Sequence, residues 1–299
     1  MNIPATDGLQ LAAQVIAPAN PKAAVVLVHG MAEHKERYVP FMTWLSEQGF
    51  ACIITDLRGH GASAATPEDL GYFGKKGSRM LVEDTLCVVR WAREQYPGKK
   101  VFLFGHSMGS LIVRCLARQY DTEIDGLVVC GSPSKNGAAG LGKILAGCIG
   151  LFRGAHYRSS LLEKMSTGSL QHRFKGEGVE NAWLSTNRAN IQAYNEDPLC
   201  GFRFTANGYK ALMDLMERTY DPDAWTLSHP EMPIHFIAGA DDPCIGSLKK
   251  FSRAVSFLRS RGYRTVTSQV YPGLRHEILH EQGKEEIWRD VAAILSTWL

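Results

Sequence analysis

Nothing in this sequence approaches the run of about 18 consecutive apolar residues that marks a membrane-spanning helix. Residues 1–14 are polar and lack the basic head and apolar core of a secretory leader. The seven cysteines (Cys52, Cys87, Cys115, Cys130, Cys148, Cys200 and Cys244) show no C-x-x-C pair and no cysteine–histidine metal spacing. The one H-E-x-x-H string, HEILH at residues 276–280, directly follows a strand and is not read as the helical zinc site of a zinc hydrolase. Neither sign of charge clusters: 33 basic and 30 acidic residues are mixed along the chain, for a net charge of +3, so there is no nucleic-acid footprint. Repeats and low-complexity tracts are lacking too. The expectation is a soluble, cytoplasmic protein with reduced, mostly buried thiols. At 299 residues and 45% hydrophobic, it can bury a substantial core without metals or disulfides.

What the sequence does contain is an alternation of short apolar runs with longer segments of helical period. Residues 24–28 (AVVLV), 51–55 (ACIIT), 101–104 (VFLF), 126–130 (GLVVC), 234–238 (IHFIA) and 267–271 read as strands, most of them buried on both faces. Segments 41–48 and 79–96 carry apolar residues at helical spacing. A last helix carries Ile287, Val291, Ile294, Leu295 and Trp298. This order predicts an α/β fold, a mostly parallel sheet covered by helices on both faces, with ligands at the carboxyl ends of the strands. From about residue 134 to 230 there are helical patterns and no buried strand. The expected organisation is a core over 1–133 and 231–299, with a helical cap over 134–230 inserted between two sheet strands.

The strongest local signal is GHSMG, residues 105–109, placed after a strand and before a helix. A serine hydroxyl is a poor nucleophile at neutral pH and must be exposed, oriented and paired with a base. A sharp strand–turn–helix exposes and orients it, and small residues two positions to either side avoid clashes. Ser107 is therefore the candidate nucleophile. In this arrangement an acid and then a histidine follow along the chain. Asp241 and Asp242 lie just past the strand IHFIA, and His276 and His280 lie past the strand that ends near Tyr271. His276 is preferred because it follows its strand directly, and Asp242 is preferred with Asp241 as a turn residue. The histidine would accept the serine proton and the aspartate would fix its tautomer. The oxyanion donors would be backbone N–H groups: that of Met108, after the nucleophile, and that of Met31, in the loop after the AVVLV strand.

HGMAEHKERY (29–38), DLRGHGAS (56–63), GHSMGS, GADDP and RHEILHE together resemble the monoacylglycerol lipases and related bacterial lysophospholipase-type enzymes of the α/β-hydrolase fold. The resemblance runs from about residue 24 to the C-terminus and is loose across the cap. It implies Ser107, Asp242 and His276 as the triad, Met31 and Met108 at the oxyanion hole, and a mobile cap over a channel for one acyl chain. Glu33 and His34 resemble a glutamate–histidine pair bordering the site, and His106 is placed with them as substrate-binding. Asp56, Arg58 and His60 are expected to tie loops together.

The expected function is hydrolysis of a small lipid ester, a monoacylglycerol or lysophospholipid, with no cofactor and no metal. A short-chain carboxylesterase, a thioesterase and a proline-iminopeptidase-like amidase are the alternatives, the last calling on Glu177, Glu180, Glu196 or Asp197 to grip an amine. A non-catalytic binding protein on the same fold stands behind these. The segment 140–154 (GLGKILAGCIGLFRG) is apolar with charges only towards its ends, and too short for a bilayer, which takes about 20 residues. It reads either as a lid helix in transient contact with a membrane surface or as a helix packed into the cap. No feature of the sequence fixes an oligomeric state.

Overall fold

A computed structural model of residues 1–299 contains eight strands: β1 (Asn2–Pro4), β2 (Gln10–Ile16), β3 (Ala23–Val28), β4 (Phe50–Thr55), β5 (Lys100–His106), β6 (Gly126–Cys130), β7 (Ile234–Gly239) and β8 (Val266–Tyr271). They form one sheet in the order β1-β2-β4-β3-β5-β6-β7-β8. The first two strands pair antiparallel and all the others parallel. The helices are α1 (Val39–Glu47), α2 (Ser78–Gln95), α3 (Met108–Tyr120), α4 (Ala139–Arg153), α5 (Ser160–Met165), α6 (Thr167–Gln171), α7 (Arg188–Glu196), α8 (Ala206–Thr219), α9 (Leu248–Ser260) and α10 (Lys284–Thr297). The mostly parallel α/β sheet expected from the sequence is present. None of these helices is long and apolar enough to cross a membrane.

Strand β3 shows why the apolar runs lack alternation. Ala24, Val26 and Val28 enter the core beneath α2, α3, α8 and α9, while Ala23, Val25 and Leu27 enter the core beneath α1 and α10. Side chains of a strand point alternately to opposite faces, so a strand covered on both sides must be apolar throughout. Two strands and one helix were not expected. β2 has half-exposed residues at its end and joins the sheet antiparallel, so its sequence carries no buried run. Helix α9 buries Phe251, Ala254, Val255 and Leu258, a readable i, i+3, i+4, i+7 stripe capped by the Ser247 hydroxyl.

Between β6 and β7 there is no strand. Here α4 packs along α8, and α8 in turn packs against α2 and α3, sending Tyr209, Ala211, Leu212 and Leu215 into the larger core. Helix α8 thus does the work of a crossover helix between two parallel strands. Gly142 and Gly150 of α4 face Met213 and Ala206 of α8, and the missing side chains let the two helices approach.

Candidate active site

Ser107 sits at the junction of β5 and α3 with φ +53° and ψ −118°. A non-glycine residue pays roughly 1–3 kcal/mol for such a backbone, so its surroundings must enforce it. They do: the Ser107 N–H donates to the Cys130 carbonyl at 3.0 Å, and the Ser107 carbonyl accepts from the Ser110 hydroxyl at 2.6 Å. A Cβ on Gly109 would lie 2.1 Å from the Val28 carbonyl oxygen, which explains the glycine two residues past the serine.

The candidate acid and base follow β7 and β8, the two strands beyond β6 in the sheet. After β7, Asp242 accepts the Cys244 N–H on Oδ1 at 2.7 Å and faces His276 Nδ1 with Oδ2 at 2.9 Å. Asp242 is 2% exposed and His276 is 1% exposed. Asp241 is exposed and serves the turn, its N–H donating to the Leu274 carbonyl. His280 turns the other way, with Nε2 3.0 Å from the Arg37 carbonyl oxygen. Burial and the Arg37 charge push the His280 pKa down to about 4.

Ser107, His276, Met31 and Met108 all open on one cavity of about 640 Å³, within the range of small-molecule sites. The Trp183 ring lies 5.0 Å from the His276 ring and screens it from solvent. Cys244 Sγ stands 3.9 Å from His276 Nε2. Burial and the Asp242 charge raise the Cys244 pKa well above the usual thiol value, so this cysteine stays a neutral thiol.

Part of the cavity lining belongs to a buried charged network. His106 lines the cavity yet spends both ring nitrogens inside the protein: Nε2 is 3.2 Å from the His276 carbonyl, and Nδ1 is 3.0 Å from the Tyr38 hydroxyl and 3.3 Å from Glu33 Oε1. Glu33 Oε1 also accepts the Gly30 N–H at 2.6 Å, and Glu33 Oε2 accepts from Arg37 at 2.8 Å. Burial opposes the Glu33 charge, but the hydrogen bond to His106 and the Arg37 charge outweigh it and hold the pKa well below the carboxylate range. Arg37 reaches on to Glu277 and to Asn190 of α7.

Of the residues expected to bind substrate, Glu33 and His106 line the cavity and His34 does not. Glu33 and His106 are saturated by internal partners and hold the Gly30–Met31 loop and the His276 loop in register. His34 lies outside the cavity, between Glu36 at 2.6 Å and Asp197 at 2.8 Å. The loop-tying residues behave as expected: His60 accepts the Ala32 N–H, Asp56 accepts the Lys35 ammonium, and Arg58 bridges Asp7 and Asp84. Arg37, Glu277, Asn190 and Trp183 escaped notice in the sequence. Arg37 and Glu277 lie inside the quoted motifs, but only the folded chain makes them partners.

A family model, Hydrolase_4 (serine aminopeptidase, S33), matches residues 19–283. Among named relatives, a monoacylglycerol lipase of Mycolicibacterium smegmatis is 26% identical over 96% of this chain and 92% of its own length. A monoglyceride lipase of Rattus norvegicus is 25% identical over 98% of this chain and 88% of its own. Among solved structures, a thermostable carboxyl esterase from Bacillus coagulans superposes with a TM-score of 0.89 at 25% identity, covering 99% of this chain and 97% of that one.

Proposed function

We propose that this chain, which belongs to the Hydrolase_4 family of serine hydrolases, cleaves the ester bond of a small lipid, a monoacylglycerol or a lysophospholipid. One observation carries the reading. Ser107 and His276, remote in sequence, line a single cavity, and His276 Nδ1 lies 2.9 Å from Oδ2 of the buried Asp242 behind it. Ser107 Oγ attacks the ester carbonyl while His276 Nε2 takes its proton and Asp242 steadies the imidazolium. The N–H groups of Met31 and Met108 hold the oxyanion. His276 then protonates the leaving alkoxide, and the same histidine activates the water that frees the acyl group.

Leu170, Phe202, Leu212, Met213 and Met216 line the cavity and supply an apolar wall for an acyl chain. We assign the cap role to residues 134–230, the covering part being α4 to α7. Helix α4 favours contact with a lipid surface. It turns its glycines to α8 and leaves Leu141, Ile144, Leu151 and Phe152 at 73, 62, 81 and 81% exposure. Those four fall on one helical stripe. The relatives' names, monoacylglycerol lipase and monoglyceride lipase, support the same substrate class.

The amidase alternative needs a free acid for the substrate amine. Glu177 is paired with Arg275 and Arg188, Glu196 accepts from Gln192, and Asp197 is paired with His34. Of the four acids only Glu180 lines the cavity. The test is hydrolysis of p-nitrophenyl esters, monoacylglycerols, lysophosphatidylcholine and aminoacyl amides by the wild type and Ser107→Ala. Lipid esters turned over by the wild type alone would support the reading. Equal turnover by both proteins, or turnover of the amides alone, would overturn it.

A further inference from the structure

We propose that His34, Asp197 and Cys200 form a binding site for a divalent cation of the zinc class, which fastens the inserted helices to the loop carrying Met31. One imidazole nitrogen, one carboxylate oxygen and one sulfur from these residues all lie within 4.8 Å of one another. Hard cations such as magnesium and calcium prefer all-oxygen sites, and a mixed nitrogen, oxygen and sulfur set suits zinc.

The imidazole and the carboxylate are each oriented by a second contact, and the cysteine is tied to the aspartate through its backbone. His34 Nδ1 lies 2.6 Å from Glu36 Oε2, the carboxylate–histidine relay that leaves Nε2 as the ligating atom. Asp197 Oδ1 accepts the Leu199 N–H at 2.8 Å and leaves Oδ2 turned to His34 Nε2, 2.8 Å away. The Cys200 N–H donates to the Asp197 carbonyl at 3.0 Å, which ties the two ligands of this loop together. His34 and Cys200 are buried, whereas Asp197 is partly open to solvent. That opening provides an entry path and a fourth position for water. A cation here replaces the proton that His34 and Asp197 share, together with the thiol proton of Cys200.

The location gives the site a consequence. His34 follows Glu33 in the loop between β3 and α1, while Asp197 and Cys200 follow α7 in the insertion. The two segments already touch where the Ala32 carbonyl accepts from the Tyr194 hydroxyl at 3.0 Å and from the Gly201 N–H at 2.9 Å. Ala32, Tyr194 and Gly201 line the cavity. A bound ion therefore pins the cavity wall beside Met31 without touching Ser107. A second grouping, Asp242 with Cys244 and His276, belongs to the proposed catalytic site and serves as a control.

The experiment uses full-length protein stripped of metal by chelation and dialysis. Zinc is titrated against a chromophoric chelator, and cobalt is added as a spectroscopic probe. The wild type, Cys148→Ser and Cys244→Ser are expected to bind one equivalent and to show a thiolate-to-cobalt charge-transfer band. Cys200→Ser loses that band, and both Cys200→Ser and Asp197→Asn bind zinc at least about tenfold more weakly, with Glu36→Gln also weakened by about tenfold. At a fixed zinc concentration the unfolding midpoint of the wild type rises more than that of Asp197→Asn. Binding by Cys200→Ser and Asp197→Asn equal to wild type would overturn the proposal. So would absence of stoichiometric binding, or loss of the cobalt band in Cys244→Ser or Cys148→Ser.

Discussion

Glu277, the residue directly after His276, gives both carboxylate oxygens to the Arg37 guanidinium, each at 2.7 Å. Both partners are nearly excluded from solvent, at 2% and 10% side-chain exposure. Removing one partner of a buried pair strands the other charge and costs about 3–5 kcal/mol. Arg37→Met is therefore expected to lower unfolding stability by about that much, measured in urea at neutral pH. An unchanged midpoint and slope would mean that Glu277 finds another partner.

The same pair sets an acid limit. Burial would raise the Glu277 pKa, but the charge and hydrogen bonds of Arg37 bring it from 4.5 down to about 2. A carboxylate with a depressed folded-state pKa contributes stability above its unfolded pKa and loses it as pH falls through the folded one. Stability should accordingly fall between about pH 4.5 and pH 2, and Arg37→Met should flatten that part of the profile. Thermal melts of the two proteins across this range provide the check. A parallel decline in both would assign the acid sensitivity to other carboxylates.

If the proposed triad is right, Ser107→Ala and Asp242→Asn lose turnover without losing the fold. The expected loss is roughly 10⁴-fold or more for the serine, and on the order of 10⁴-fold for the aspartate through the wrong imidazole tautomer. Single-turnover hydrolysis of a soluble ester, with circular dichroism as the control for folding, measures both. A full acyl burst from Ser107→Ala would send the search for the nucleophile elsewhere.

Gly109→Ala tests the elbow itself. The added methyl would lie 2.1 Å from the Val28 carbonyl and 2.6 Å from the His29 carbonyl, both backbone atoms of β3 and its loop. Neither can move without breaking the sheet, so the variant should lose more than about 4 kcal/mol or accumulate as insoluble protein. A soluble variant with a wild-type melting midpoint would show that α3 can shift.

The outer face of α4 makes a separable prediction. Leu151→Glu with Phe152→Glu should weaken sedimentation with liposomes and slow hydrolysis of dispersed lipid, while turnover of a soluble short-chain ester stays within twofold or so, because neither residue lines the cavity. Equal loss on both substrates would make α4 a structural element of the cavity wall.

The parallel strands, the elbow and the long helices were legible in the sequence because local rules govern them. Apolar runs without alternation meant burial on both faces, and G-x-S-x-G between a strand and a helix carries its own stereochemistry. His276 ranks over His280 because it directly follows a strand, and Asp242 over Asp241 because Asp241 reads as a turn residue. The ion network could not be read this way. Arg37 is 153 residues from Asn190, and Asn190 is 87 from Glu277; the three meet through sheet order and the docking of α7. The same holds for His34 with Asp197 and Cys200, whose spacing matches no metal signature. Strand β2 hid for another reason: its end is half-exposed, so burial left only a weak mark on its composition.

The proposed base lies in the loop after β8, the last strand in the sequence and one of the two edge strands of the sheet. During synthesis the elbow, the oxyanion loop and the inserted helices all leave the ribosome before that strand does. On the proposed assignment, a growing chain carries the nucleophile without its base until that segment docks. Timed translation in vitro should show ester hydrolysis appearing with the full-length product and not with the longest nascent chains.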